Sequence, residues 1–120
     1  MARHYKELLV WQRAMDLVTE VYRVTATFPK HERFGLVSQL PRAAVSIPSN
    51  IAEGQGRLSV GEFKQFLGHA RGSLFEVETQ LLIARNLGLL GEREIQELNE
   101  RIAEVGRLLN GLVRSLGTDN

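Results

Sequence analysis

The sequence contains no cysteine, which excludes disulfides, cysteine-ligated zinc, iron–sulfur clusters and thiol nucleophiles. It also lacks a strong charge of either sign: 15 Lys and Arg side chains oppose 14 Asp and Glu, so the chain as a whole is not a polyanion binder of the histone type. No apolar run approaches the roughly 20 residues that a membrane-spanning helix needs. The N-terminal segment is charged throughout and has no secretory signal pattern, and we expect a cytoplasmic protein.

What the sequence does contain is apolar residues at helical spacing. Its 120 residues, of which 43% are apolar, predict one domain spanning residues 1–120. Apolar positions recur every three or four residues in four segments, which predicts helices over residues 7–28, 35–54, 59–87 and 92–116. Because the connectors between these helices are short, the predicted fold is all-α, an antiparallel up-down-up-down four-helix bundle.

Local signals refine the ends and faces of these helices. Ser59 and Glu62 have the spacing of a capping box and start the third helix. The glycines of Gly54-Gln55-Gly56 end the second helix as a C-cap. Pro41 and Pro48 interrupt the second helix, so we expect it to be bent or to begin late, near Pro41. The first helix has a second apolar row that widens its core face: Trp11, Met15, Val18 and Tyr22.

The third predicted helix has an unusual reverse side. Small residues lie opposite its core face, flanked by large apolar ones: Gly61, Gly68, Gly72 and Thr79, with Phe75, Leu82 and Ile83 beside them. Each glycine inside a helix costs about 0.5 to 1 kcal/mol relative to alanine, and close approach by another helix is a reason for it. The alternative is a solvated face with Phe75 folded back on its own bundle. Oligomer contact is favoured, because large exposed apolar patches are uncommon in monomers.

The second predicted helix has few charges. Between residues 35 and 54 only Arg42 and Glu53 are charged, and the rest of the side facing away from the core is small and polar: Ser38, Ser46 and Asn50. Such a surface suits a polar contact away from water; the alternative is a mildly polar surface helix. The unusual sides of the second and third helices together predict self-association, as a closed ring or a dimer.

Catalytic and metal-binding patterns are not found in the sequence. The three histidines, His4, His31 and His69, are not part of a Glu-x-x-His motif, and no Gly-x-Ser-x-Gly elbow is present. We therefore predict no catalytic residue, no metal or cofactor, no small-molecule substrate and no enzymatic activity.

Basic residues are concentrated in the first part of the chain. Residues 1–71 carry ten basic and six acidic side chains, and residues 72–120 carry five basic and eight acidic ones. Arginine supplies 12 of the 15 basic residues, which favours recognition of phosphate groups. An oligomer would repeat this positive region on every copy. The candidate nucleic-acid contacts are Arg3, Lys6, Arg13 and Arg23. The alternative is an ordinary charge mixture whose complementary halves help subunits pack.

Several motifs are specific enough to compare with known families. They are Tyr5-Lys6-Glu7-Leu8, Gln39-Leu40 with Arg42-Ala43-Ala44, Ser46-Ile47-Pro48-Ser49-Asn50-Ile51-Ala52-Glu53-Gly54, and Ala70-Arg71-Gly72-Ser73-Leu74 with Glu76. Together they resemble the 23S rRNA intervening-sequence protein family over nearly the whole chain. The resemblance implies a four-helix bundle that assembles into a homopentameric ring without enzymatic activity.

The motif residues coincide with the two unusual helix sides. Our hypothesis is that Arg42 pairs with Glu53 or Glu76, within or between subunits, and that Asn50 and Ser73 supply hydrogen bonds there. The predicted oligomer interface comprises Arg42, Ser46, Asn50, Glu53, Gly68, Gly72, Ser73, Phe75, Glu76, Leu82 and Ile83. The predicted function is that of a self-assembling scaffold or binding protein. The alternative function is a nucleic-acid-binding accessory protein that uses a repeated Arg-rich surface.

Overall fold

Four helices build the protein, and the computed structural model describes residues 4–32 and 35–117. The helices are α1 Leu9–Thr25, α2 Leu36–Gln55, α3 Val60–Asn86 and α4 Glu92–Ser115. Single 3₁₀ turns, Tyr5–Glu7 and Lys30–Glu32, precede α1 and α2, and no strand occurs in the described residues. The prediction of an all-α fold with four helices is confirmed.

Each helix runs antiparallel to its neighbours. Contacts between adjacent helices pair residues in opposite order along the chain: Ser46 with Ser73 and Gly54 with Phe66, Gly106 with Leu74 and Gly117 with Lys64, and Arg13 with Glu104 and Val24 with Leu98. In the part of the chain that the structure describes, the backbone of α1 lies close to those of α2 and α4 but not to that of α3. The four helices therefore occupy the corners of a square, with α3 diagonally opposite α1.

One apolar core runs through the bundle, and all four helices contribute to it. Its largest fully buried side chains are Leu17, Val21, Leu40, Ile47, Ile51, Leu67, Leu74, Val77, Leu81, Val105 and Leu109. These residues occupy the three-and-four spacing that predicted the core faces. Full burial of each such side chain contributes about 1.5 to 3 kcal/mol, which makes this core the main source of stability.

The second apolar row of α1 joins the core only in part: Trp11 and Val18 pack against the core as expected, whereas Met15 and Tyr22 do not. Met15 is 41% exposed and Tyr22 is 54% exposed, while Trp11 and Val18 are half-buried. The row faces the edge between α1 and α2. At this edge Trp11, Met15 and Val18 line a cleft together with residues of α2, among them Pro48 and Ala52.

Helix α2 is continuous from Leu36 to Gln55 although Pro41 and Pro48 lie inside it. The expectation of a late start near Pro41 is wrong. Neither proline nitrogen can donate to the carbonyl four residues earlier, which weakens the helix at two points. Both proline rings are buried in the bundle. Tertiary packing supplies most of the stability of such a helix, and here it outweighs the two missing hydrogen bonds.

The glycines at the end of α2 have different roles. Gly56 is the C-cap residue, with a φ of −82°. Gly54 is buried inside the last turn, where an added Cβ would lie 2.6 Å from the Cβ of Phe66 and 3.0 Å from the ring of Phe63. Gly54 therefore permits close approach of α2 and α3 and does not end the helix as predicted.

The predicted start of α3 at Ser59, and the N-cap half of its capping box, are confirmed. Ser59 is the N-cap residue, and its hydroxyl accepts a hydrogen bond from the backbone N–H of Glu62 at 3.1 Å. This bond satisfies one of the N–H groups that have no partner inside the helix.

Replacing Gly54 by alanine is expected to lower the free energy of unfolding by about 1 to 3 kcal/mol, because the new methyl group would force Phe66 and its helix away. The matched control is Gly56→Ala, whose new Cβ would have no neighbour closer than 3.6 Å. A change between zero and about 1 kcal/mol of stabilisation is expected for this control. Urea denaturation measures both variants, and equal effects would contradict the close-packing role of Gly54.

Candidate oligomer interface

The side of α3 that faces away from the core is open and partly apolar. At Gly68 and Gly72 no heavy atom lies within 4 Å of the position that a Cβ would take. Phe75 is 53% exposed and Ile83 is 44% exposed on the same side, and Thr79 lies between them. We call these five residues the outer face of α3. Phe75 does not fold back on its own bundle, so the alternative in which it does is wrong; Leu82, at the edge of this face, is half-buried.

Phe75 has only partial cover from its own helix. The guanidinium carbon of Arg71 lies 5.8 Å from the centre of the Phe75 ring, within the range of a cation–π contact. The hydroxyl of Thr79 donates to the carbonyl of Phe75 at 2.8 Å, so this polar group is satisfied within the helix. About half of the ring remains in contact with water, and covering it with another apolar surface is favourable.

Three of the predicted interface residues come together between α2 and α3. The hydroxyls of Ser46 and Ser73 lie 2.8 Å apart and share a hydrogen bond. The side-chain amide of Asn50 donates to the carbonyl and to the hydroxyl of Ser46 at 2.8 and 2.9 Å. All three side chains are half-buried, and their hydrogen bonds join two helices of one chain.

The charged residues of the predicted interface do not pair with one another inside the chain. Arg42 and Glu53 are exposed and stand eleven residues, about 16 Å, apart along α2. Arg42 forms no ion pair with any described residue. Glu76 accepts a hydrogen bond from the side-chain amide of Gln80 at 3.1 Å. The within-chain form of the predicted Arg42 pairing is therefore wrong, and the form between copies stays a prediction.

Gln80 is a buried polar residue that the sequence did not reveal. Its side chain is only 7% exposed, and its Oε1 has no hydrogen-bond partner among the described residues. Glutamine four residues after glutamate is common on solvated helix faces, so the spacing carried no signal of burial. The amide of Gln80 donates to the carboxylate of Glu76 one turn earlier on α3.

A second apolar surface lies between α1 and α2, and the sequence pattern does not predict it. We call it the α1–α2 groove. It is a cleft of about 300 Å³ lined by Tyr5, Trp11, Met15, Val18, Val45, Pro48, Ser49 and Ala52. The ring of Tyr5 packs edge-on against Trp11 with centroids 5.3 Å apart, so the turn before α1 forms one end of the groove. In the sequence, the second apolar row of α1 is the feature that indicates this groove, but its helical spacing predicts a wider core face instead.

The predicted nucleic-acid contacts do not form a set of free cations. Arg3 lies outside the described residues, and Lys6 is exposed. Arg13 lies 3.4 Å from Glu104 and 3.6 Å from Asp16, and Arg23 pairs with Glu20. The positive charges of Arg13 and Arg23 are therefore offset by neighbouring carboxylates.

Histidines and acidic residues stay dispersed. His4, His31 and His69 are all exposed, and the ring of His69 stacks on Phe66 at 5.8 Å. Across residues 4–32 and 35–117, no group of three or more histidine or acidic side chains is arranged to hold a metal ion. Over the same residues no helix combines the length and the apolar character needed to span a bilayer.

Comparison with known proteins identifies the family. The family model of the 23S rRNA-intervening sequence protein matches residues 6–111. The chain belongs to the 23S rRNA-intervening sequence protein family. A search of the curated proteins gave no match. The resemblance seen in the sequence motifs is thus confirmed.

A solved structure supports the fold of this family member. The crystal structure of a protein with unknown function from the S23 ribosomal protein family of Bacteroides thetaiotaomicron is similar, with a TM-score of 0.82 and 19% sequence identity. The similarity covers 88% of this chain and 96% of that chain. At this identity the likeness shows a shared fold.

The bond between Ser46 and Ser73 gives a direct test of how α2 and α3 are joined. Ser73→Ala is expected to lower the free energy of unfolding by about 1 kcal/mol, the usual net value of one hydrogen bond. The control is Ser115→Ala, whose hydroxyl bonds only to the carbonyl of Leu112 in the last turn of α4. A change below about 0.5 kcal/mol is expected for this surface position. Thermal or urea unfolding measures the free energy of unfolding of both variants. If Ser73→Ala is as stable as the wild type, the hydrogen bond between Ser46 and Ser73 does not stabilise the packing of α2 on α3.

Proposed function

We propose that this protein is a non-enzymatic four-helix bundle that self-assembles into a homopentameric ring in the cytoplasm and acts as a scaffold or binding protein. The outer face of α3 carries the proposal, because Phe75 and Ile83 are exposed there beside two open glycines. Membership of the family supports it, and the ring size of five is the size that the resemblance implies.

The energetics of the outer face of α3 favour a contact. Gly68 and Gly72 together cost about 1 to 2 kcal/mol of helix stability relative to alanine. Burial of Phe75 and of Ile83 against a neighbour would each return up to about 1.5 to 3 kcal/mol. The absence of a Cβ at both glycines lets that neighbour approach the backbone of α3 closely. A contact between copies would therefore offset the cost of the two glycines, whereas a solvated helix would not.

Helix α4 supplies the contrast. No large apolar side chain within Glu92–Ser115 is exposed, and the outward side of this helix is charged. Its exposed charged residues include Arg93, Glu97, Glu100, Arg101 and Arg107. A surface of this kind remains hydrated, so in the proposed assembly α4 faces solvent and contacts between copies use the other helices.

The assembly is tested by light scattering and sedimentation of the purified protein. We expect a particle of five times the 13.5 kDa chain mass. Phe75→Glu is expected to shift the mass toward one chain, because a carboxylate buried at the contact would lose its hydration. The control is Leu58→Glu, which makes the same chemical change at a position that is 100% exposed and outside the outer face of α3. A wild-type protein of single-chain mass at high concentration would overturn the proposal.

Nucleic-acid binding through an Arg-rich surface is the alternative, and the ion pairs of Arg13 and Arg23 weaken it. Phosphate binding draws its strength from cations that release counterions, and paired arginines have less to contribute. We expect labelled ribosomal RNA to show no salt-sensitive binding in a fluorescence anisotropy titration. Binding that is tight at low salt and falls steeply as salt is added would instead favour the alternative.

A further inference from the structure

The α1–α2 groove and the outer face of α3 are unlike surfaces. Met15 and Val45 are exposed at the rims of the groove, while Trp11 is half-buried and Pro48 is buried in its floor. The groove is therefore a concave apolar surface between two helices. The outer face of α3 is the reverse, a single helix from which Phe75 projects.

These two surfaces lie on different sides of one copy. Helix α3 stands diagonally opposite α1, and in the described residues the core lies between their backbones. The outer face of α3 consequently points away from the edge at which α1 and α2 meet. The two surfaces of one chain cannot cover each other, but a neighbouring copy can cover each of them.

We propose that copies of this chain join head to tail, with the outer face of α3 of one copy packed into the α1–α2 groove of the next. This inference rests on the self-assembly proposed above and names the two surfaces that meet. It assigns the groove, which the predicted interface did not include, as the receiving half of the contact.

The dimensions of the two surfaces match. Phe75 and Ile83 stand eight residues, about 12 Å, apart along α3. The α1 residues that line the groove run from Trp11 to Val18, which is seven residues or about 10 Å. Two side chains that project about two turns apart on α3 therefore span a length similar to that of the groove. The open backbone at Gly72 leaves room for a rim side chain of the groove.

Charges at the borders of the two surfaces are complementary. Arg42 lies one helical turn before Val45 at the rim of the groove, and Glu76 follows Phe75 on α3. Both side chains are exposed, and neither pairs with an opposite charge among the described residues. Packing Phe75 against Val45 of the next copy would bring the two charges together. The pairing of Arg42 with Glu76 indicates that the occupant of the groove is a second copy of the chain, and it fixes the register of the contact.

A contact between two different surfaces has a definite consequence for symmetry. Unlike surfaces generate a ring when the rotation between copies closes, whereas a two-fold dimer needs one surface that fits itself. Head-to-tail packing leaves Thr79 of one copy near Ser49 of the next. A two-fold contact of α3 with α3 would instead place Thr79 near Thr79.

Cross-linking distinguishes these arrangements, because the chain has no cysteine of its own. Ser49→Cys places a thiol at the groove, and Thr79→Cys places one on the outer face of α3; both positions are exposed. The two single variants are unfolded, mixed, refolded together and treated with a short bis-maleimide. We expect a two-chain product from the mixture and none from either variant alone. Asn110→Cys, exposed on α4, is the control and should give no product with Ser49→Cys.

The outcomes separate the two proposals because light scattering is measured on the same samples. Single-chain mass of the wild type overturns the self-assembly itself. Assembled protein that gives no product in the mixture overturns the assigned contact between the outer face of α3 and the α1–α2 groove and leaves self-assembly standing. Assembled protein that cross-links in Thr79→Cys alone indicates a two-fold contact, which overturns both the head-to-tail contact and the ring of five. In a chain carrying both cysteines, head-to-tail packing predicts a ladder of products that ends at the number of copies in the ring.

Charge reversal provides an independent measurement of the same contact. Arg42→Glu and Glu76→Arg should each weaken association by at least about tenfold, since each places like charges together. A chain carrying both reversals should recover most of the association, because the pair is restored between copies. Circular dichroism verifies that each variant keeps its helices. Failure of the double variant to recover while its helices persist overturns the assigned pairing.

Discussion

Close packing of α2 against α3 is the constraint on which the rest of this structure depends. Gly54 lets the last turn of α2 approach Phe66, and the hydrogen bond between Ser46 and Ser73 joins the same two helices further along. Once one side of α3 is committed to α2 and another to the core, its remaining side must point outward. That side carries Phe75, so the packing inside one chain creates the surface by which copies are proposed to meet.

The polar residues of the family motifs divide into two groups. Ser46, Asn50 and Ser73 satisfy one another across α2 and α3, so they contribute to the single chain. Arg42 and Glu76 find no opposite charge within the described chain and are available to a neighbour. In the proposed ring, apolar burial supplies most of the affinity and this charge pair supplies the register. In the proposed ring, one sequence motif would therefore contain both residues that stabilise the single chain and residues that join neighbouring copies.

Much of the fold, and the position of the outer face of α3, were accessible from the sequence because they depend on helical periodicity. The buried row Ile95, Leu98, Ile102, Val105 and Leu109 of α4 repeats every three or four residues, and any helix that carries it must turn it inward. The N-cap at Ser59 is local in the same sense, since its hydroxyl and the N–H of Glu62 lie within one turn. Gly68 and Gly72 could be placed opposite the core face from the same periodicity.

What the sequence by itself determined is which side of each helix is apolar, where most helices begin and end, and which family the motifs resemble. Only the tertiary structure decided how far the second apolar row of α1 is covered: Trp11 packs against the core, whereas Met15 stays exposed at the α1–α2 groove. It also decided that Gly54 is needed for close packing and that Arg42 has no partner in its own chain. The reason is physical: helical period orients a residue about its own axis, whereas its neighbours depend on how the other helices pack.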